Sequence, residues 1–341
     1  MAIDALYRRN ELAFRTQYAE LKERVLAAGQ LLPGTPGSLA QRRGTGHTYW
    51  YRVYYPVPGR QAETLVCKDG DDETLAAMRE RIASADWVAK QVVSLRKLGF
   101  QVADKAVARV LVELHNQNAF DAGLTLVGTL GYMAWLNEYG AIAVSARTHD
   151  VDLARNRRLK LAFPLNFLEG MQATGLPFEA VPGLSADAAS TSVKLPGTQG
   201  LRVDLLAPGE PLGAAIRVPE LDWVAQAVPH YGYLLEAPEP AAVLAGGHCV
   251  PVRLPGPGRL VWHKLYSSTQ RKGFPEKAAK DRSQSLTLAA VLTDEEPGTL
   301  EAAFADAPPQ MIKPIRPLAE SLVCSAAAHP ALCDALRTCL A

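Results

Sequence analysis

Asp150-Val151-Asp152-Leu153 alternates carboxylates with apolar side chains, and no other run constrains this chain as tightly. On a strand, successive side chains point to opposite faces, so both acids share one face while Val151 and Leu153 enter the core. Two unit charges about 4 Å apart repel by roughly 4 kcal/mol at an effective dielectric near 20, a cost that a divalent cation removes. The D-x-D spacing alone is a weak signal, because about one is expected by chance in a chain of this composition. A second instance, Asp69-Gly70-Asp71, lies in a Gly-containing acidic turn where carboxylates need no partner.

A third acid, Asp204, sits in the apolar run Leu201-Arg202-Val203-Asp204-Leu205-Leu206, where an isolated carboxylate is expensive to desolvate. Three carboxylates on adjacent strands suit two Mg²⁺ (or Mn²⁺) ions, the arrangement that clamps attacking and leaving oxygens in phosphoryl transfer. The sequence leaves open that Asp204 pairs with Arg202 or Arg217 instead, with Asp150 and Asp152 facing solvent at a strand end.

Upstream, Leu124-Thr125-Leu126-Val127 reads as a short buried strand running into Gly128-Thr129-Leu130-Gly131 and a helical stretch through Met133, Trp135 and Leu136. Such a junction exposes backbone N–H groups at a helix N-terminus, where phosphate oxygens are attracted; Gly128 permits close approach and Thr129 offers a hydroxyl. A plain turn with Thr129 as N-cap is the alternative. Neither G-x-x-x-x-G-K-[ST] nor G-x-G-x-x-G occurs, which removes support from other nucleotide folds.

The chain has 341 residues, 48% hydrophobic, enough to bury a large core without disulfides or a structural metal. A net charge of +1 gives no bulk field demanding nucleic acid, and five scattered cysteines without a C-x-x-C pair fit a reduced, cytoplasmic interior. A charged N-terminus and the lack of a long apolar stretch argue against export and membrane insertion.

Leu6, Phe14, Tyr18, Leu21 and Val25 carry a helical period; aromatic, β-branched Thr48 to Tyr55, a turn at Pro56 to Gly59 and a return over Glu63 to Cys67 suggest a small antiparallel element. Helices are expected from Thr74 to about Gly99 and Asp104 to His115, and strands over Thr148 to Ala154 and near Phe178 to Val181, Ser192 to Leu195 and Leu201 to Leu206. Pro238 to Pro257 is expected to form loops around one short strand, Cys249 to Leu254, with helices resuming at His263. The mixture indicates an α+β or α/β fold. Its expected organisation is an N-terminal helical region, 1–118, with the β element at about 38–68; a core, 119–260; and a C-terminal helical domain, 261–341.

The ordered set Val127-Gly128-Thr129, Asp150-Val151-Asp152-Leu153 and Asp204 resembles the DNA polymerase β nucleotidyltransferase superfamily, with its hG[GS] turn, hD[DE]h-like acids and later third acid. The 22-residue step from Gly128 to Asp150 is similar to that of abortive-infection-type toxin nucleotidyltransferases. The whole chain, with Gly37-Ser38-Leu39 and Tyr49-Trp50-Tyr51, also resembles a bacterial family of uncharacterised nucleotidyltransferase-fold proteins. Two departures stand out: Thr129 replaces Gly or Ser, and His149 directly precedes the first acid.

The resemblance implies a mixed-sheet core and Mg²⁺-dependent transfer of a nucleoside monophosphate from an NTP such as ATP to a hydroxyl, releasing pyrophosphate. Asp150, Asp152 and Asp204 would be the metal-holding catalytic acids and Gly128-Thr129 the triphosphate turn. Lys264, in the run Arg259 to Leu265 that resembles the family's Lys-bearing helix, would neutralise triphosphate together with Arg271 or Lys280, though these also suit a solvated face. Trp50, Arg52 and Tyr54 are candidates to stack and neutralise an RNA or tRNA acceptor; a protein or small-molecule hydroxyl satisfies the same chemistry. Aromatic strands also serve as core or interface, so a catalytically silent module binding nucleic acid or a partner protein stays open, as does one half of a toxin–antitoxin pair.

Overall fold

A computed structural model of the chain describes residues 5–57, 59–162, 165–183 and 189–341, so Pro58 of the expected turn at Pro56 to Gly59 lies outside it. The acid-bearing segments are neighbouring parallel strands, Asp150–Arg155 and Arg202–Pro208, with Val151 opposite Val203 and Leu153 opposite Leu205. These four apolar side chains are fully buried. Because the strand period is two, their burial leaves Asp150, Asp152, Arg202 and Asp204 on the opposite face.

Leu124–Leu126 pairs antiparallel along the outer edge of Asp150–Arg155. On the other side, Ser192–Lys194 pairs antiparallel with the first half of Arg202–Pro208, while Trp223–Val228 runs parallel to its second half. Glu179–Ala180 and Ala215–Val218 extend the edges, giving a seven-stranded mixed sheet among the described residues. The α+β class expected from the sequence is therefore the one formed. The Ala215–Val218 and Trp223–Val228 pair escapes sequence reading because its alternation is short and broken by Pro219, which opens a single 3₁₀ turn between the strands.

The region from Pro238 to Pro257 departs from expectation. In place of loops around one strand, Glu239–Ala245 and His248–Leu254 form a fully paired antiparallel hairpin. Gly246 and Gly247, at φ 51° and 94°, supply the left-handed turn that a two-residue hairpin loop requires. Pro240 is tolerated at the start of its strand, and Ala241 to Ala245 are buried beyond it. The Gly128–Glu138 helix packs on this hairpin: Trp135 Nε1 donates to the Pro255 carbonyl at 3.0 Å, and the Ala242 N–H donates to the Glu138 carboxylate at 3.0 Å.

Towards the N-terminus, the helix Leu12–Ala28 buries Tyr18, Leu21 and Val25, while Leu6 precedes it. Ser38–Arg43, Thr48–Val57 and Arg60–Lys68 form a three-stranded antiparallel sheet. Asp71 then caps the helix Asp72–Lys97 by accepting from the Thr74 N–H at 3.1 Å, so the Asp69-Gly70-Asp71 turn has a structural role. Lys105–Asn116 leads from there towards the sheet.

Beyond the hairpin, helices run from Pro257–Gln270 and Pro275–Glu295 to Pro330–Leu340. Helices resume at Pro257, six residues before the expected His263, because Pro is favoured in a first helical turn. Buried Leu265, Leu288, Met311 and Leu332 belong to the same hydrophobic cluster as Val151 and Leu205. A smaller cluster joins the Leu12–Ala28 and Asp72–Lys97 helices to Ala242, Leu244 and Cys249 of the hairpin. Among the described residues, no helix is long and apolar enough to cross a membrane.

Candidate active site

The Gly128 turn is clamped onto the first acid strand. The Val127 N–H donates to the Asp152 carbonyl at 2.9 Å, and Gly128 has φ 67°. A Cβ on Gly128 would stand 2.0 Å from Asp152 Oδ2, so only glycine fits here. The helix starts at Gly128 with Val127 as its N-cap residue and no side-chain cap bond, which corrects the alternative in which Thr129 is the cap. Its first N–H groups therefore open beside the Asp152 carboxylate.

The parallel register sets Asp204 beside Asp152 and Arg202 beside Asp150. Burial, then Asp204 and Asp150, push the Asp152 carboxyl up to about 6, against the opposing pull of Lys264 and Arg271. Like charges crowded on one half-buried face are what a divalent cation relieves, and the Gly128 cradle leaves Asp152 Oδ2 uncovered by any Cβ. On those grounds the acids fit a divalent cation.

They are not preassembled as the sequence suggests. Among the described residues, no three His, Cys, Asp or Glu side chains already stand as a metal-holding group. Asp150 is exposed at its strand's start, and Arg202 Nε donates to Asp204 Oδ1 at 2.7 Å while its Nη2 donates to Ser192 Oγ at 2.6 Å. Of the two arginine partners open to Asp204, Arg202 is the one used; Arg217 pairs with Asp222.

Lys264 is placed differently from expectation. Its helix begins at Pro257, so Lys264 is mid-helix and buried rather than at the helix start. Lys264 Nζ meets Asp281 Oδ1 at 3.1 Å, and Arg271 Nε donates to Asp281 Oδ2 at 2.6 Å. One carboxylate thus holds both cations, and both act on Asp152. Lys280 joins them: burial first, then Lys264, hold it below the usual lysine range, while Asp281, Asp150 and Asp152 draw it up.

Three residues without a sequence signal complete the site. Asp281 is hidden in a basic stretch. Tyr231 is buried, and its hydroxyl is pushed up by burial and then by Asp152; its ring meets His263 edge-on with centroids 4.9 Å apart. His263 is held near 4 by burial foremost, so it is neutral at physiological pH and supplies wall rather than charge.

The suggested acceptor residues do not gather here. Arg52 is 2% exposed, and its guanidinium donates to the carbonyls of Pro33, Thr35 and Pro36 while lying 4.0 Å over the Tyr54 ring. With its donors held by three carbonyls, this guanidinium ties down the Pro33 to Gly37 loop from within, where the sequence suggests a surface cation. Trp50 Nε1 donates to Asp69 at 2.9 Å on the exposed face of the same small sheet.

The sequence profile of a protein family described as "Nucleotidyltransferase" matches residues 105–309, which include the turn, the three acids and the cationic helix residues. One solved structure is similar to this chain: an antigenic nucleotidyltransferase-like protein from Paracoccidioides brasiliensis, at 13% identity, covering 64% of this chain and 91% of that one, with a TM-score of 0.31. A likeness that low carries no argument about the site. No curated protein sequence matches.

Proposed function

Because the chain belongs to this nucleotidyltransferase family, we propose that it transfers a nucleoside monophosphate from an NTP to a hydroxyl acceptor and releases pyrophosphate. The observation that carries this reading is the Asp152–Asp204 pair in register on parallel strands, with the Gly128 turn pressed against Asp152. Asp150, Asp152 and Asp204 would hold Mg²⁺ or Mn²⁺, two ions in the full complement. When bound, the metal supplies charge neutralisation at the reacting phosphate and lowers the pKa of the acceptor hydroxyl.

The chain's own residues do the rest. Backbone N–H groups from Gly128 onward receive triphosphate oxygens, and the bare Gly128 Cα lets them approach Asp152. Lys264 and Arg271, fixed by Asp281, and Lys280 set positive charge on the side where pyrophosphate leaves. Tyr231 and His263 wall one side of Asp152 from water, which strengthens its charge interactions. RNA, tRNA or a protein hydroxyl each suits the chemistry as acceptor.

Incubation with labelled nucleoside triphosphates, Mg²⁺ and candidate RNAs or proteins tests this: label should move to an acceptor, and Asp152→Ala should abolish transfer. Transfer undiminished in the variant would remove Asp152 from the mechanism. The Arg202–Asp204 ion pair favours one second reading, a catalytically silent binding module in which an arginine takes the place of metal. That module would transfer no label under any metal.

A further inference from the structure

A large cleft lies away from the acids, bounded by the Leu12–Ala28, Asp72–Lys97 and Lys105–Asn116 helices, the Pro33 to Pro36 loop and the Gly246-Gly247 hairpin turn. Its volume is about 1290 Å³, above the roughly 300–1,000 Å³ common for small-molecule sites. Neither the acids, the Gly128 turn, nor Lys264, Arg271 and Lys280 line it.

Most of its wall is apolar, with Val25, Leu32, Val88, Val92, Val93 and Val102 among the lining residues. Val93 remains 54% exposed on the Asp72–Lys97 helix, an aliphatic side chain with nothing over it among the described residues.

The charged lining is unbalanced. Arg81, Arg96, Lys105 and Arg109 face the cleft against only Glu80 and Asp104. Arg109 is 6% exposed, and its Nε and Nη2 both donate to the Thr174 carbonyl, at 3.0 and 2.5 Å. Its Nη1 is buried and has no hydrogen-bond partner among the described residues. Glu113, one helical turn on, lies near enough to act on Arg109 but accepts from Gln117 instead of pairing with it.

Arg52 is nearby and is held to about 10 by burial foremost, with Arg81 and Arg109 repelling it further, so three guanidinium groups share this end of the cleft. His248 Nδ1 is a second buried polar atom without a partner that meets hydrogen-bond geometry, and burial keeps that imidazole neutral. A buried guanidinium N–H left open costs free energy unless something accepts from it.

We propose that this cleft is a second ligand site, for a single-chain amphipath whose acidic head is held by Arg81 and the positive charge of Arg109 and whose apolar chain lies along Val88 and Val93. An anion meets the excess positive charge, and a hydrocarbon chain covers the exposed aliphatic wall; neither alone accounts for both. The head is a carboxylate or a phosphate monoester, since both accept from guanidinium. The proposal is independent of nucleotidyl transfer and is read out without an NTP.

Isothermal titration of the full chain with dodecanoate, dodecyl phosphate and dodecyltrimethylammonium, each below its micelle concentration, tests it. The two acidic probes should bind with one-to-one stoichiometry, the tighter of them naming the head group, and the cationic probe should bind at least tenfold more weakly. Arg81→Gln should weaken binding at least fivefold and Val93→Asp at least tenfold; both positions are exposed, so the fold tolerates them. Binding of neither acid, equal binding of the cationic probe, or affinity unchanged in both variants would overturn the proposal.

Discussion

Asp152→Asn should make the metal-free protein more stable, the opposite of what a carboxylate in a favourable structural ion pair would do. Burial, Asp204 and Asp150 raise the Asp152 carboxyl from 3.8 to about 6. At 1.36 kcal/mol per pKa unit, that rise is a destabilisation of about 3 kcal/mol for the ionised group. The unfolded chain loses this proton near 3.8 and the folded chain near 6, so between those values the folded state binds more protons. Stability therefore falls as pH rises through that window and stays lower above it.

Asparagine removes the charge at every pH. Its advantage over the parent should be about 3 kcal/mol at pH 8, about half that at pH 5, and nearly gone by about pH 3. For a chain of this length, with an unfolding entropy of about 0.7 kcal/mol per kelvin, the pH 8 gain corresponds to a melting temperature about 4 °C higher. Thermal melts of both proteins in EDTA from pH 5 to pH 8 measure it, and saturating Mn²⁺ should reverse the order by stabilising the parent alone. A variant no more stable than the parent at pH 8, or a difference that does not shrink towards pH 5, would refute the account of Asp152 as a carboxyl raised by burial and by its acidic neighbours.

Other substitutions separate the parts of the site. Gly128→Ala places a Cβ against the Asp152 carboxylate at a left-handed φ and should cost about 1–3 kcal/mol in urea denaturation, with label transfer reduced at least a hundredfold. Asp281→Asn strips both Lys264 and Arg271 of their partner and leaves Lys264 buried, so it should cost about 3–5 kcal/mol, much of which the double variant Asp281→Asn, Lys264→Met should recover. Arg202→Gln frees Asp204 and should tighten Mn²⁺ binding in a titration; weaker binding would mean that the arginine supports the metal site rather than competing with it.

The parts of this molecule that alternation governs were legible in the sequence. Val151, Leu153, Val203 and Leu205 announce two strands with one buried face, and the positions of the acids follow from the pleat. What stayed hidden depends on contacts between distant segments. Asp281 reads as part of a basic stretch until Lys264 and Arg271 meet on it. The Arg202–Asp204 pair was only one of two options in the sequence, because Arg202 reaches its neighbour along the strand while Arg217 has Asp222 closer at hand. Arg52 looked like a surface charge among aromatics, and only the path of the Pro33 to Gly37 loop turns it inward. The Pro238 to Pro257 hairpin was concealed by its own Gly and Pro content, which marks turns more strongly than it marks the strands they connect.

The central claim is that Asp150, Asp152 and Asp204 hold metal beside a triphosphate received at Gly128. The most direct measurement is a crystal structure with Mn²⁺ and a non-hydrolysable nucleoside triphosphate, with manganese located by its anomalous signal. The account predicts manganese among the three acids, Arg202 turned away from Asp204, and triphosphate oxygens on the Gly128 and Thr129 N–H groups. Manganese absent from the acids, with Arg202 still bonded to Asp204 and the triphosphate bound elsewhere, would contradict it.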